Sequence, residues 1–240
     1  MEHDFAIVYF GLTRSTKTVY TSHIERVHNV LKSAGLSYKI FMHTWKTRNN
    51  KQKVWGTVCE KEIDYTEYKL LNPDFYKIDM QDDFIESLDM NNYFYKSVWD
   101  SKRESGQGEW KPELIKNHLC ALESMKRGLC MVEDYMKIGH RFTSILFIRP
   151  DVFIENNLPI AQLVPDTISI PNFDHFEGYN DRFAIMNYAI AIQYGKRIDE
   201  IADFRKHNGR IVSEKYVKFI VNKYKIPVTL IDFKFKIIRH

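Results

Sequence analysis

The chain has 240 residues, of which 44% are hydrophobic and 14% aromatic, and a formal charge of +4 at pH 7. The mild charge, with acids and bases interleaved, lacks the concentrated basic face of a nucleic-acid binder. No apolar run approaches the roughly 20 residues that span a bilayer, so no integral membrane segment is expected.

Without a Pro/Gly/Ser tract, low-complexity block or repeat, the expectation is a single domain over 1–240. The three cysteines, Cys59, Cys120 and Cys130, are odd in number and fit no zinc spacing. Reduced thiols follow, and with them a soluble, cytoplasmic protein. Met1-Glu2-His3-Asp4 is acidic and runs straight into a strand, unlike a signal peptide.

In chain order, Phe5 to Phe10 reads as a buried first strand that breaks at Gly11-Leu12-Thr13-Arg14-Ser15. An amphipathic helix is predicted over about Thr21 to Ala34, with Ile24, Val27, Val30 and Leu31 on one face and Gly35 as its stop. Tyr38 to Met42 is the second strand, ending at His43-Thr44-Trp45. This β-loop-α-β unit places its two strands parallel. Residues 46–62 read as loop, Asp64 to Leu71 as helical and Phe75 to Ile78 as a third strand. Residues 79–112 are the least regular part: the aromatic-rich Asn91 to Trp110 reads as helical in part, with a mobile loop at Ser105-Gly106-Gln107-Gly108.

Leu114 to Lys137 is the clearest helix, with apolar residues three and four apart. The apolar run Ile145 to Ile148 is a buried strand that Pro150 terminates, because proline cannot donate to a ladder. A short strand follows at Thr167 to Ile170, then a polar loop from Phe173 to Phe183. Ala184 to Tyr194 is helix, or strand then helix, and Ser213 caps a helix to Tyr224. Val228 to Ile231 and Phe235 to Ile238 are the last strands. Strands alternating with helices predict an α/β/α sandwich with a mostly parallel central sheet, Rossmann-like in outline.

Ligands of open α/β sheets bind outside the carboxyl ends of the strands, so the charged residues there are the candidates. Gly11-Leu12-Thr13-Arg14-Ser15 has neither the three glycines of a dinucleotide fingerprint nor a phosphate loop. It reads as a nucleotide diphosphate contact through its backbone and Arg14, or as a plain turn. His43 and Trp45 contact a base or sugar, or pack under a loop. Arg149-Pro150-Asp151 has two open readings: Asp151 as ligand of a divalent cation, which prefers carboxylates, or Arg149 as the group that neutralises an anion. A structural ion pair is the third.

In the segment Phe176 to Phe183, Glu177 and Asp181 are loop carboxylates able to act as a base if desolvated. Asn180 and Arg182 could hold substrate hydroxyls or phosphate there, while an Asn-Asp turn with surface charges is the plainer option. Arg127 on the long helix and Ser213-Glu214 at a helix start read first as ordinary helix residues. The nine histidines show no ligand spacing, and no nucleophile elbow is present.

Six segments occur in this order: Val8-Tyr9-Phe10-Gly11-Leu12-Thr13-Arg14-Ser15, Ile40-Phe41-Met42-His43-Thr44-Trp45, Leu71-Asn72-Pro73, Ile148-Arg149-Pro150-Asp151, Asn180-Asp181-Arg182-Phe183-Ala184 and Ser213-Glu214. Together they resemble the GT-A-type glycosyltransferase-like proteins of bacteria, plants and large algal viruses. The resemblance implies transfer of a sugar from a nucleotide-diphosphate sugar to a glycan or other hydroxyl acceptor. The donor would lie over 1–150 and the acceptor over 151–240. It further implies donor contacts from Gly11, Leu12, Arg14, Ser15, His43, Arg127, Arg149 and Asp151. Acceptor contacts would come from Asn180, Arg182, Trp99 and Trp110, with Asp181 as the base and Glu177 as second choice. Such enzymes usually carry Asp-x-Asp, whose last acid meets manganese. Here Arg149 stands where the first acid would be, so Asp151 is the one expected metal ligand. A non-catalytic nucleotide-sugar or glycan-binding module on the same fold is the alternative.

Overall fold

The computed structural model describes residues 1–49, 51–54, 57–95, 111–208 and 210–238, with backbone only over 51–61. Trp99, Trp110 and the Cys59 side chain, expected as acceptor contacts and a free thiol, lie outside what is described.

A seven-stranded sheet runs through the molecule. Its strands in chain order are β1 (Glu2–Phe10), β2 (Tyr38–Lys46), β5 (Phe75–Met80), β6 (Arg141–Ile148), β8 (Ile168–Pro171), β9 (Phe183–Met186) and β10 (Val228–Ile231). Across the sheet the order is β10-β8-β9-β6-β1-β2-β5. All neighbours pair in parallel except β9, which runs against both β6 and β8. The expected α/β architecture with a mostly parallel sheet is what forms.

The side-chain alternation of β1 sorts the core into two layers. Phe5, Ile7 and Tyr9 point to one face, where they meet Val27, Leu31, Ile40 and Leu146. Ala6, Val8 and Phe10 point to the other, against Met125, Leu129 and Val132 of helix α4 (Pro112–Lys137). Each fully buried Val, Leu, Ile, Phe or Met side chain among them contributes about 1.5–3 kcal/mol. Helix α4 lies close enough to β1 that a Cβ at Gly128 would stand 2.6 Å from Val8 Cγ1. A third cluster joins Ile115 and Leu119 of α4 to helices α6 (Ile201–Asn208) and α7 (Ser213–Lys223), through Ile201, Phe204, Tyr216 and Ile220.

Several expected boundaries move. The first helix starts at Thr16 rather than Thr21, and a π turn (Ile24–His28) separates α1 (Thr16–His23) from α2 (Asn29–Ser33). Strand β2 continues through His43, Thr44 and Trp45, because their side chains are buried and pairing with β5 persists to Lys46. The expected loop 46–62 contains an antiparallel pair, β3 (Lys51–Val54) and β4 (Thr57–Glu62). Helix α3 (Gln81–Ser87) lies in the segment expected to be irregular. Strand β7 (Val152–Ile154) leaves the main sheet to pair with β11 (Phe235–Ile237). The stretch after Phe183 is strand then helix, ending in α5 (Tyr188–Gly195). Ser213 does not cap α7: its hydroxyl donates to Glu214 Oε2 at 2.8 Å, and Val212 holds the cap position.

Candidate functional site

The reversal of β9 decides what meets at the sheet edge. Parallel strands β1 and β6 bring their carboxyl ends to one side, and Ile148 of β6 pairs with Phe183, the first residue of β9. The residues that enter β9, Asp181 and Arg182, therefore sit beside the residues that leave β6. The Arg149 N–H donates to the Arg182 carbonyl at 3.3 Å. The first residues of α7 close the same edge, where Tyr179 N–H donates to the Glu214 carbonyl at 3.0 Å. Between these pieces lies a cleft of about 780 Å³. That volume is in the range of small-molecule sites.

Gly11, Leu12, Arg14, Arg149, Glu177, Asp181 and Arg182 line the cleft, so the structure brings these predicted residues together. Trp45, Gln81, Asn117, His118, Arg210 and Glu214 join them. Five other predicted residues take different places. Ser15 has φ 65 at the start of α1 and is not part of the lining.

His43 is fully buried. Its Nε2 meets Asp79 Oδ2 at 3.1 Å and its Nδ1 meets Ser124 Oγ at 2.8 Å. Burial, only partly opposed by Asp79, lowers its pKa to about 4, so the ring is neutral. Ser124 Oγ in turn accepts from Gly11 N–H at 2.7 Å. His43 thus ties the loop after β1 to β2 and α4 instead of touching a ligand. Arg127 is drawn away by Asp79 and by Glu123 at 2.8 Å, and covers the Trp45 ring at 4.9 Å. Asn180 is buried and serves the loop, accepting from Arg182 N–H at 3.0 Å and donating to the Phe173 carbonyl at 3.3 Å.

Asp151, the fifth, lies beneath the cleft floor with 1% exposure. Arg149 grips it as a fork, Nε to Oδ1 at 2.8 Å and Nη2 to Oδ2 at 2.6 Å, and Arg14 Nε reaches Oδ2 at 3.3 Å. Burial pushes this carboxyl up, but Arg149 and then Arg14 outweigh it and hold it at about 2. The divalent cation implied for Asp151 does not fit this donor set. Both oxygens are taken by guanidinium N–H groups, and an incoming cation would meet two fixed positive charges. Among the described residues no group of three His, Cys, Asp or Glu side chains could hold a metal ion.

The two carboxyls expected to compete as base also separate. Glu177 stands out in solvent with 75% of its side chain exposed and pairs with Lys215, which lowers its pKa. It is not the desolvated base expected. Asp181 is 15% exposed, and its Oδ1 has no hydrogen-bond partner. Burial raises its pKa, yet Arg182, His118 and Arg149 more than compensate, so it is held below the ordinary value. Glu214 is its counterpart: burial, then the Asp181 charge, raise its pKa. It takes a hydrogen bond from Ser213 and another from Arg182 Nη2 at 3.4 Å. Asp181 therefore gives up its proton more readily than an ordinary carboxyl, and Glu214 less readily. Two titrating groups whose surroundings drive their pKa values apart mark acid–base chemistry.

His118 was missed from sequence. It lies within the apolar stripe of α4, three residues after Ile115 and four before Leu122, and a polar residue inside such a stripe was the available signal. Burial lowers its pKa to about 4, so it faces the cleft as a neutral imidazole.

No protein-family model matches the chain, and no curated protein matches it. Among solved structures it matches the crystal structure of mouse xyloside xylosyltransferase 1 in its apo form. The identity is 10%, the TM-score 0.39, and the match covers 96% of this chain and 85% of that one. At so low an identity and score, function has to come from the cleft itself. No helix among the described residues is long and apolar enough to cross a membrane.

Proposed function

We propose that this chain is a GT-A-like glycosyltransferase, moving a sugar from a nucleoside-diphosphate sugar to a hydroxyl of a glycan or another acceptor. One observation carries the reading: the guanidiniums of Arg14 and Arg149 and the carboxyl pair Asp181–Glu214 face a single cleft at the carboxyl edge of the sheet. Sugar transfer needs both. The bond from the anomeric carbon to the diphosphate breaks, its electron pair leaves with the diphosphate, and fixed positive charge stabilises that departure. The acceptor oxygen forms the new bond, and its proton passes to a carboxylate. Asp181, which lines the cleft and is held below the ordinary carboxyl pKa, takes that proton, and Glu214 holds Arg182 and the neighbouring backbone in register. The ordered motifs that resemble the GT-A group support the same division, donor toward 1–150 and acceptor toward 151–240.

The test is release of nucleoside diphosphate from uridine-, guanosine- and thymidine-diphosphate sugars, with and without hydroxyl acceptors. Asp181→Asn is expected to cut turnover by about 10²–10⁴-fold while nucleotide binding survives. Glu177→Gln, already neutralised by Lys215, is expected to leave turnover within about twofold. Binding without any turnover in the unaltered protein would turn the reading into a nucleotide-sugar-binding module. No binding at all would end it.

A further inference from the structure

We infer that the cleft holds the donor diphosphate through the guanidinium pair Arg14–Arg149, locked in place by the buried Asp151, with no divalent cation at that carboxylate. This rests on the donor reading proposed above and deepens it.

Asp151 acts as an anchor. Its two oxygens accept three N–H groups, from Arg149 Nε and Nη2 and from Arg14 Nε. The fork on Arg149 uses one edge of the guanidinium and leaves Nη1 outside the clamp. Both arginines line the cleft, with 15% and 21% of their side chains exposed, while Asp151 is sealed below them. Within this cluster two guanidiniums face one carboxylate. A planar guanidinium matches phosphate oxygens with paired donors.

The clamp is also rigid. Arg149 N–H is held by the Arg182 carbonyl, and the next carbonyl, of Pro150, accepts from Thr16 Oγ1 at 3.3 Å. Charges fixed before the ligand arrives need little ordering when it binds.

The obvious competing anion site is occupied by the chain itself. At the start of α1, Thr16 N–H donates to the Thr13 carbonyl and Thr18 N–H to the Ser15 carbonyl. Lys17 N–H donates to the Glu67 carboxylate at 2.8 Å. A carboxylate already stands where a phosphate would meet that helix. The diphosphate is left to the side chains, and Arg14 lines the cleft together with Gly11 and Leu12 of the same loop.

Calorimetric titration of the full chain with uridine, guanosine and thymidine diphosphates, in EDTA and in manganese, tests this. At least one nucleotide is expected to bind with affinities equal within about twofold in the two buffers. Arg149→Gln is expected to weaken binding about tenfold or more in both, through loss of a charge-assisted fork. Should that variant fail to fold, Arg149→Lys, which keeps the charge and loses the fork, takes its place, and the EDTA comparison on the unaltered chain stands alone. Binding that EDTA weakens tenfold or more and manganese restores would overturn the inference and leave the donor reading intact. Absence of binding by every nucleotide in both buffers would overturn both.

Discussion

At Gly178 the backbone has room for a hydrogen and nothing larger. A Cβ there would lie 1.9 Å from the Glu214 carbonyl oxygen, so the segment before β9 can press against the start of α7 only because this residue is glycine. The neighbouring residues bend to make that approach: Asp174, Phe176 and Glu177 have φ of 53, 40 and 68. Each such residue stores about 1–3 kcal/mol, which the packing around it sustains. Gly178→Ala is therefore expected to lower stability by about 3 kcal/mol in urea unfolding and to separate Asp181 from Glu214. An unchanged midpoint would show that the approach is not required.

At this scale the sequence was legible in part. Arg149 and Asp151 announce themselves as charges at the end of an apolar run, and Asp181 as a carboxylate in a polar loop. What those charges do was not legible, because Arg14, the second partner of Asp151, lies 137 residues away. An aspartate that reads as a metal ligand becomes an anchor once two guanidiniums close over it.

Among the elements, helix α4 was read almost to its ends, since its apolar residues keep the 3.6-residue period. The segment after β1 was not. Its apolar residues fit a regular helix, and nothing in their spacing reveals the π turn. The signal lay in two polar residues five apart. In a regular helix His23 and His28 would point about 140° from each other. The π turn, with its i→i+5 bond from Asn29 N–H to the Ile24 carbonyl, brings both to the Tyr9 hydroxyl, at 3.2 and 3.0 Å. His23 Nε2 meets the Val152 carbonyl at 2.8 Å, so its Nδ1 is left to accept from Tyr9, and Tyr9 accepts from His28. This relay of neutral groups backs the strand that follows Asp151. Tyr9→Phe would leave two buried imidazoles short of a partner and is expected to cost about 2 kcal/mol in chemical denaturation. A loss below about 0.5 kcal/mol would mean that the π turn stands without the relay.

Over the whole molecule, burial sets the response to acid. His23 is held near 3, and His28, His43 and His118 near 4, in each case first by burial. Unfolded, each would take up a proton near 6.5. Between these values the unfolded chain binds more protons than the folded one, so stability is full above 6.5 and falls as pH drops toward 4. Each histidine contributes a slope of about 1.4 kcal/mol per pH unit at most. Asp151 adds its own loss lower down, from 3.8 to about 2. Denaturant midpoints at pH 7.5, 6 and 5 should decline steadily, and a flat profile would contradict the burial of these imidazoles.

The fold class was legible at this scale from the alternation of strands and helices, and the direction of β9 was not, since four apolar residues carry no arrow. That reversal has a consequence for how the molecule comes into being. The Arg14–Arg149–Asp151 cluster sits at the ends of β1 and β6, while the carboxyl pair needs β9 and the start of α7, which the ribosome delivers later. A chain synthesised as far as Asp151 carries Arg14, Arg149 and Asp151 and neither member of the carboxyl pair. Under the function proposed above, the incomplete chain would lack its base and leave an activated sugar intact until the wall that carries the carboxyl pair has formed.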